Sequence, residues 1–260
     1  MGGIGKGIEV LSLMSLIKID EHGNLIMHNQ LRDFGREIVH LQHGEKPQKQ
    51  SRLWIYEEAI DVLDNNKMAI EFKVLNLTSC RSLRRTPDLS TFESLEILIL
   101  QHCENLEEIH PSVRDIKTLI SLDVHSCRRL KELPAELGKM VELRELPIND
   151  TDIQEIPISR GCLMKLETLC ISNCKRFSQL PESMSSLISL TLLELSNLEI
   201  EELPEFIGSL EKLKTLDASS CRRLAQLPKS MGYLVSSTLL NLSSSIIKEL
   251  PKSIGSMKEL

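Results

Sequence analysis

From about residue 72 onward one phrase, L-x-x-L-x-L-x-x-C-x-x-L-x-x-L-P, returns at a nearly constant interval. Its second apolar position falls at Leu75, Leu98, Leu122, Leu146, Leu169, Leu193, Leu216 and Leu240. The steps are 23, 24, 24, 23, 24, 23 and 24 residues. A period in this range marks one small supersecondary unit stacked on copies of itself. A unit of this size cannot bury its own apolar face, so each copy must close its core against its neighbours. This period excludes most globular architectures before composition is considered.

Each copy alternates apolar and polar residues at its centre. In Leu122-Asp123-Val124 the two apolar side chains point one way and Asp123 the other. Each copy therefore supplies one short strand, and parallel stacking at roughly 4.8 Å merges the leucine rows into a continuous core. The Leu-Pro pairs Leu133-Pro134, Leu180-Pro181, Leu203-Pro204, Leu227-Pro228 and Leu250-Pro251 end the extended segment, because proline has no N–H to donate. The stretch after each pair, such as Ile207, Gly208 and Leu210, has room for one short helical or 3₁₀ turn. The expected fold class is α/β. It is a leucine-rich-repeat solenoid of eight repeats with a curved parallel sheet, preceded by a partial winged-helix-like α+β segment.

Composition agrees with this reading and narrows the function. Of 45 leucines, 37 lie after residue 70, whereas Phe, Tyr and Trp together number eight, so the core is aliphatic. No apolar run approaches the length of a membrane span, and no secretory leader is evident. No membrane association is expected, and the chain is placed in the cytoplasm, with the nucleus as the alternative. The net charge of −6 weighs against nucleic acid, which selects a basic footprint. Seven cysteines without a leader point to reduced thiols. Cys80, Cys103, Cys127, Cys174 and Cys221 share one repeat position. Their spacing is too long for the local pairs of a zinc site, so they are expected as a ladder of small buried side chains. Cys162 and Cys170 lie off that ladder, and Cys170 is expected to face solvent as the reactive thiol.

Repeats four, six and eight are one residue shorter at the turn. They read Thr151-x-Ile153, Leu198-x-Ile200 and Ser245-x-Ile247 where the others have C-x-x-L. Pro147 sits mid-strand in repeat four and cannot donate to a neighbouring strand, so a local gap in the ladder is expected there. The solvent side of the strands offers a short, polar, mildly acidic row. The candidate binding residues are Asn76, Gln101, His102, Asp123, His125, Asn149, Asn173, Glu194, Asn197, Asp217 and Asn241. With no aromatic anchor among them, a solvated face and a partner surface both fit. His102 and His125 face alike on adjacent strands but lack a third ligand, so no metal site is expected. Arg81, Arg84, Arg85, Arg128, Arg129, Lys131, Lys175, Arg176, Arg222 and Arg223 follow the cysteine position. They form a basic edge that is either solvated or suited to an acidic domain or phosphate.

The first seventy residues break the period. Residues 8–19 suggest a short helix and then a strand, His22-Gly23-Asn24 a hairpin turn, and Leu25-Ile26-Met27 the return strand. Leu31, Phe34, Ile38 and Leu41 keep helical spacing over 29–42. Residues 43–50 read as a loop, and Tyr56 to Leu63 as another short helix. The run SLIKIDEHGNLIMHNQLRDFGREIVH, then SRLW and a helix ending in DVLDNN, resembles plant intracellular nucleotide-binding leucine-rich-repeat disease resistance proteins. It is most similar to the class carrying a Toll/interleukin-receptor-type domain. That resemblance implies a domain plan of 1–7 as a remnant phosphate-binding loop, 8–68 as part of a winged-helix subdomain, and 69–260 as repeats. Met27-His28-Asn29 resembles the family's Met-His-Asp motif, which implies a contact of His28 with the phosphates of ADP; Asn29 departs from it by losing a carboxylate. Gly3, Gly5 and Lys6 resemble the phosphate loop, but Gly7 stands where the family has the Ser or Thr that holds Mg²⁺. A truncated or internally deleted form is therefore expected, with no cofactor of its own, although the family binds ADP or ATP.

The half winged helix is expected to lean on the first repeat through Trp54, Ile60, Leu63, Ile70 and Phe72. No polar cap follows the last repeat, so apolar surface is expected there. The resemblance implies a non-enzymatic immune receptor fragment. Its protein partner would be a pathogen effector or other domains of the same receptor. An ADP/ATP-operated switch and a generic repeat scaffold are the alternative readings.

Overall fold

The computed structural model describes residues 17–19, 25–27, 52–53, 72–159, 161–257 and 259. The chain divides into two units, Met1–Gln50 and Ser51–Leu260. In the first, β1 (Ile17–Ile19) and β2 (Leu25–Met27) form the expected antiparallel hairpin, with Ile17 opposite Met27 and Ile19 opposite Leu25. The short helix expected ahead of β1 and those expected at 29–42 and 56–63 lie outside the described residues, as do Trp54, Ile60, Leu63 and Ile70.

The second unit holds a nine-stranded, all-parallel sheet in simple sequence order. Eight of its strands are the repeat centres: β4 (Val74–Asn76), β5 (Ile97–Ile99), β6 (Ser121–Asp123), β7 (Glu145–Pro147), β8 (Thr168–Cys170), β9 (Leu192–Glu194), β10 (Thr215–Asp217) and β11 (Leu239–Asn241). The ninth, β3 (Arg52–Leu53), pairs with β4 and precedes the leucine period, which therefore does not announce it. Like stands beside like: Leu75 pairs with Leu98, Leu98 with Leu122, Leu169 with Leu193, and Leu193 with Leu216. The inward leucines from Leu75 to Leu216 are fully buried. Burying each such side chain is worth about 1.5–3 kcal/mol, and the stack supplies this once per repeat. Phe72 and Phe92 cover the first repeat, their ring centroids 6.1 Å apart. At repeat eight the exposed apolar side chains are Leu239, Ile246 and Leu250.

The return path of six repeats makes a five-residue 3₁₀ turn: Pro111–Asp115, Ala135–Lys139, Glu182–Ser186, Glu205–Ser209, Lys229–Tyr233 and Lys252–Ser256. Five of these follow a Leu-Pro pair, whose proline occupies the cap position. Among the described residues repeats one and four show no such turn, against the expectation of one per repeat. Repeat one returns through Pro87-Asp88-Leu89, where the Asp88 carboxylate accepts the Ser90 N–H at 2.9 Å instead. Repeat four has Ile156-Pro157-Ile158 at this place, and there the Ile158 N–H donates to the Ile156 carbonyl at 2.7 Å instead. Successive turns approach closely. A Cβ on Gly208 would lie 2.4 Å from the Ser230 carbonyl oxygen, so only glycine fits.

Pro147 has the expected effect. Most neighbouring repeat strands share three paired residues, but β6 and β7 share only Ser121 with Glu145. On its other side Pro147 pairs normally with Cys170, because its carbonyl and its neighbours remain available. The ladder resumes at once, with Val124 N–H donating to the Pro147 carbonyl at 3.0 Å.

Candidate functional site

Strand alternation turns three residues of each repeat toward the concave face. The middle column carries Asn76, Asp123, Glu194, Asp217 and Asn241, all half-buried. The next outward position carries Gln101, His125 and Asn149, also half-buried. Immediately beyond it stand His102, Asn173 and Asn197. Sequence reasoning missed the third column, Val74, Ile97, Ser121, Glu145, Thr168, Leu192, Thr215 and Leu239. The same period of two, carried one step before the first strand leucine, identifies it. Val74 lies opposite Ile97, and Ile99 follows two residues on, so repeats one and two present a small half-buried apolar patch.

The polar residues beside this patch hold the backbone as well as face outward. At the end of each strand every repeat places a residue in the left-handed region: Ser79, His102, Ser126, Asp150, Asn173, Asn197, Ser220 and Ser244, at φ 54–63°. This bend turns the chain from strand to loop, and short polar residues tolerate it better than branched ones. Each bend N–H from Ser79 to Ser220 donates to the next repeat, for example His102 to the His125 carbonyl at 3.0 Å and Asp150 to the Ser172 carbonyl at 2.9 Å. The carboxylates and amides of the middle column support the bend from below. The Asn76, Asp123, Asp217 and Asn241 side-chain oxygens accept the N–H two residues on, at 2.9, 3.0, 2.8 and 3.2 Å. Asn149 accepts the Ser172 N–H of the next repeat at 2.8 Å. The Asn197 amide donates to Asn173, and that of Asn241 to Asp217 at 3.0 Å.

Four candidates converge. Gln101 donates to one Asp123 oxygen, and the His125 Nδ1 lies 2.9 Å from the other. The exposed His102 ring stands edge-on to His125, with centroids 4.9 Å apart. Burial pushes the Asp123 carboxyl up, but hydrogen bonds from His125 and Gln101 outweigh it and leave the pKa below its ordinary value. The bond to Asp123 holds His125 above the ordinary imidazole value, against burial. Among the described residues, no group of three or more His, Cys, Asp or Glu could hold a metal ion.

The thiol ladder is buried at Cys103, Cys127, Cys174 and Cys221, and half-buried at Cys80. Each of the four buried thiols donates to a carbonyl of the preceding repeat: Leu77, Leu100, Ile148 and Leu195, at 3.0–3.1 Å. Burial pushes the Cys174 and Cys221 thiols up and keeps them neutral. Cys170 corrects the expectation of a solvent-facing reactive thiol. It is buried, and burial followed by the Glu194 carboxylate pushes its pKa well up. A thiol that stays protonated is a poor nucleophile. Its side chain is too short to emerge between the Pro147 and Glu194 rows that pair on either side.

The basic edge is partly neutralised within the chain. Arg85 meets Glu108 at 2.9 Å, Arg129 meets Glu107 at 3.5 Å, Arg176 meets Asp152 at 3.6 Å, and Arg223 pairs with Glu201. Gly3, Gly5, Lys6 and His28 lie outside the described residues.

Residues 73–198 match the family model of a leucine-rich repeat region. Curated relatives come from plants. TMV resistance protein N of Nicotiana glutinosa is 24% identical over 223 aligned residues, covering 51% of this chain and 19% of that protein. Disease resistance protein RPP4 of Arabidopsis thaliana is 35% identical over 66 residues, covering 25% of this chain and 6% of that protein. The chain carries a leucine-rich-repeat domain related to those of plant disease-resistance proteins. It matches less than a fifth of the length of these two relatives.

Solved structures share the fold alone. A leucine-rich-repeat protein of Leptospira interrogans has a TM-score of 0.66 at 24% identity, over 74% of this chain and 48% of that one. The leucine-rich repeat domain of the type III effector XopL has 0.61 at 24% identity, over 73% and 67%. The described repeats share the leucine-rich-repeat scaffold with these structures. Among the described residues, no helix is long and apolar enough to cross a membrane.

Proposed function

We propose that this chain is a non-enzymatic recognition module of a plant immune receptor, and that the concave face of its first three repeats receives a protein partner. The class with a Toll/interleukin-receptor-type domain is the reading favoured by the N-terminal motifs. The partner is a pathogen effector or another domain of the same receptor, met in the cytoplasm or nucleus. One observation carries this reading. Val74, Ile97 and Ile99 form an apolar patch bordered by the hydrogen-bonded set Gln101, Asp123, His125 and His102. An apolar centre with a polar rim, held on a sheet that need not rearrange, is the anatomy of a protein interface. The resistance proteins similar to this chain support the immune assignment.

The domain plan follows from the same reading. Residues 69–260 are the repeats, 8–68 the later part of a winged-helix subdomain, and 1–7 a remnant carrying Gly3, Gly5 and Lys6. His28 is the vestige of a phosphate contact rather than a working site, because Gly7 lacks the hydroxyl that Mg²⁺ requires. Asn149, Asn173, Glu194, Asn197, Asp217 and Asn241 extend the face toward later repeats.

The test is co-expression with pathogen effectors one at a time in leaf tissue, with association scored by a split reporter. An effector should bind the parent chain, fail with Ile97→Lys plus Ile99→Lys, and still bind with Tyr233→Lys on an exposed 3₁₀ turn. Equal loss with both variants, or no effector bound by the parent, would sink effector recognition by this face.

A further inference from the structure

The turns that follow the thiol ladder form one edge of the solenoid. In repeats one, two, three, five and seven this turn is closed by a backbone bond. Leu83, Leu106, Leu130, Phe177 and Leu224 donate to the carbonyls of Cys80, Cys103, Cys127, Cys174 and Cys221 at 2.9–3.1 Å. Two residues stand at each tip. Repeats four, six and eight have one residue fewer. At two of them the chain is instead drawn against the preceding repeat, with Asp152 N–H donating to Leu130 at 3.1 Å and Ile246 N–H to Leu224 at 3.2 Å. From repeat three to repeat eight the edge therefore alternates ridge and notch. The first notch is an open cleft of about 330 Å³, with Arg128 and Lys175 on its walls and Asp150, Thr151, Asp152 and Asn173 between them.

Charge follows this relief. The ridge tips are Arg128-Arg129, Lys175-Arg176 and Arg222-Arg223, and the notches present Asp152, Glu199 and Ile246. The second cation of each tip is held by an acid of its own chain. The first cation, Arg128, Lys175 or Arg222, is exposed and has no ion pair among the described residues, and neither has Glu199. The supposed basic stripe is thus a row of protruding cations without in-chain ion pairs, separated by Asp152, which also meets Arg176, and by the exposed Glu199. A uniform polyanion would meet an acid at two of the three notches. The pattern instead complements a copy of itself read in the opposite direction.

We propose that this edge pairs antiparallel, about a two-fold axis between repeats five and six, with the same edge of a second copy of the chain. Repeat five then meets six, seven meets four, and three meets eight, so every ridge enters a notch. Lys175 faces Glu199 of the second copy, Arg222 faces Asp152, and the Arg128 stem lies over Ile246; the axis makes each contact twice. A slip of one repeat puts ridge on ridge and cation on cation, so the alternation sets the register as well as the partner. Six repeats span only roughly 25 Å at about 4.8 Å per strand, which makes the contact narrow and its affinity sensitive to salt.

Sedimentation of the full chain over about 1–500 µM tests this. A dimer should form as concentration rises and weaken about tenfold or more from low to high salt. Lys175→Glu with Arg222→Glu should be monomeric, and so should Asp152→Lys with Glu199→Lys. Mixed in equal amounts, the two variants should pair again, because every contact between them is once more of opposite sign. The single exchanges Lys175→Glu and Glu199→Lys repeat the mixing test without touching the Arg176–Asp152 pair. A parent chain monomeric at the highest concentration, a reversal variant that dimerises as well as the parent, or a folded mixture that stays monomeric would each overturn the proposal.

Discussion

Repeat four and repeats five to seven use the same inward leucines and stack in the same register, yet they are held together differently. Repeats five to seven each carry a full strand, and each return path makes a 3₁₀ turn. Where the turns of repeats six and seven meet, and those of seven and eight, glycine allows backbone to touch backbone. Repeat four has a proline in its strand and, among the described residues, no 3₁₀ turn. Thr151 takes the ladder position there. Its hydroxyl donates to the Ile148 carbonyl at 2.8 Å and lies 3.3 Å from the Cys174 sulfur. The comparison separates two contributions. Burial of the leucine row is enough to keep a repeat in register, whereas the close fit of successive return turns is an addition that a repeat can do without.

The largest expected effect tests that separation at the glycines. A Cβ on Gly208 would meet three atoms of Ser230 at 2.4–2.9 Å, one on Gly138 would meet only the Pro157 oxygen under 3 Å, and one on Gly255 meets nothing within 4 Å. Gly208→Ala should cost about 2–3 kcal/mol, Gly138→Ala about 1 kcal/mol, and Gly255→Ala less than about 0.5 kcal/mol, measured by chemical denaturation. Equal losses at Gly208 and Gly138 would erase the difference between the two regions. Next, Thr151→Val keeps the shape but removes the donor to Ile148, and should cost about 1 kcal/mol. A neutral result would mean that the Cys174 thiol alone satisfies that carbonyl. In native-state hydrogen exchange, amides at the β6–β7 junction should exchange faster than those between β8 and β9, because Pro147 interrupts only the former. Uniform protection across both junctions would show that the missing bond has no energetic consequence.

The smallest effect is electrostatic. The folded pKa of His125 is raised, so its pairing with Asp123 stabilises fully below the unfolded value of about 6.5 and is lost as pH rises through the higher folded value. The stability difference between the parent and His125→Asn should therefore shrink with rising pH above about 6.5. A difference that grows with pH would reverse the assignment.

The period of the leucines made the sheet, its register and the burial of the cysteine ladder legible, because each follows from alternation repeated at a fixed interval. Pro147 was legible for a similar reason, since a missing N–H has a local and certain consequence. Cys170 was not. Its position between Leu169 and Ile171 says only that it leaves the core side, and its burial depends on neighbours 23 and 24 residues away. The binding face was half legible. Its residues were identified, but Asn76, Asp123 and Asp217 looked like free recognition groups, and the structure shows them also bracing the bend that follows each strand.

The chain alone determines that a stack of parallel strands forms, how many repeat strands there are, and which residues lie inside, because burial of one apolar row per repeat is a property of the pattern. Tertiary structure decides what happens between repeats: which polar side chains are tied to backbone, which cations find an acid, and where one turn approaches the next too closely for a Cβ. Those outcomes depend on distances of a few ångströms between residues some two dozen positions apart, and the spacing of letters along the chain does not contain them.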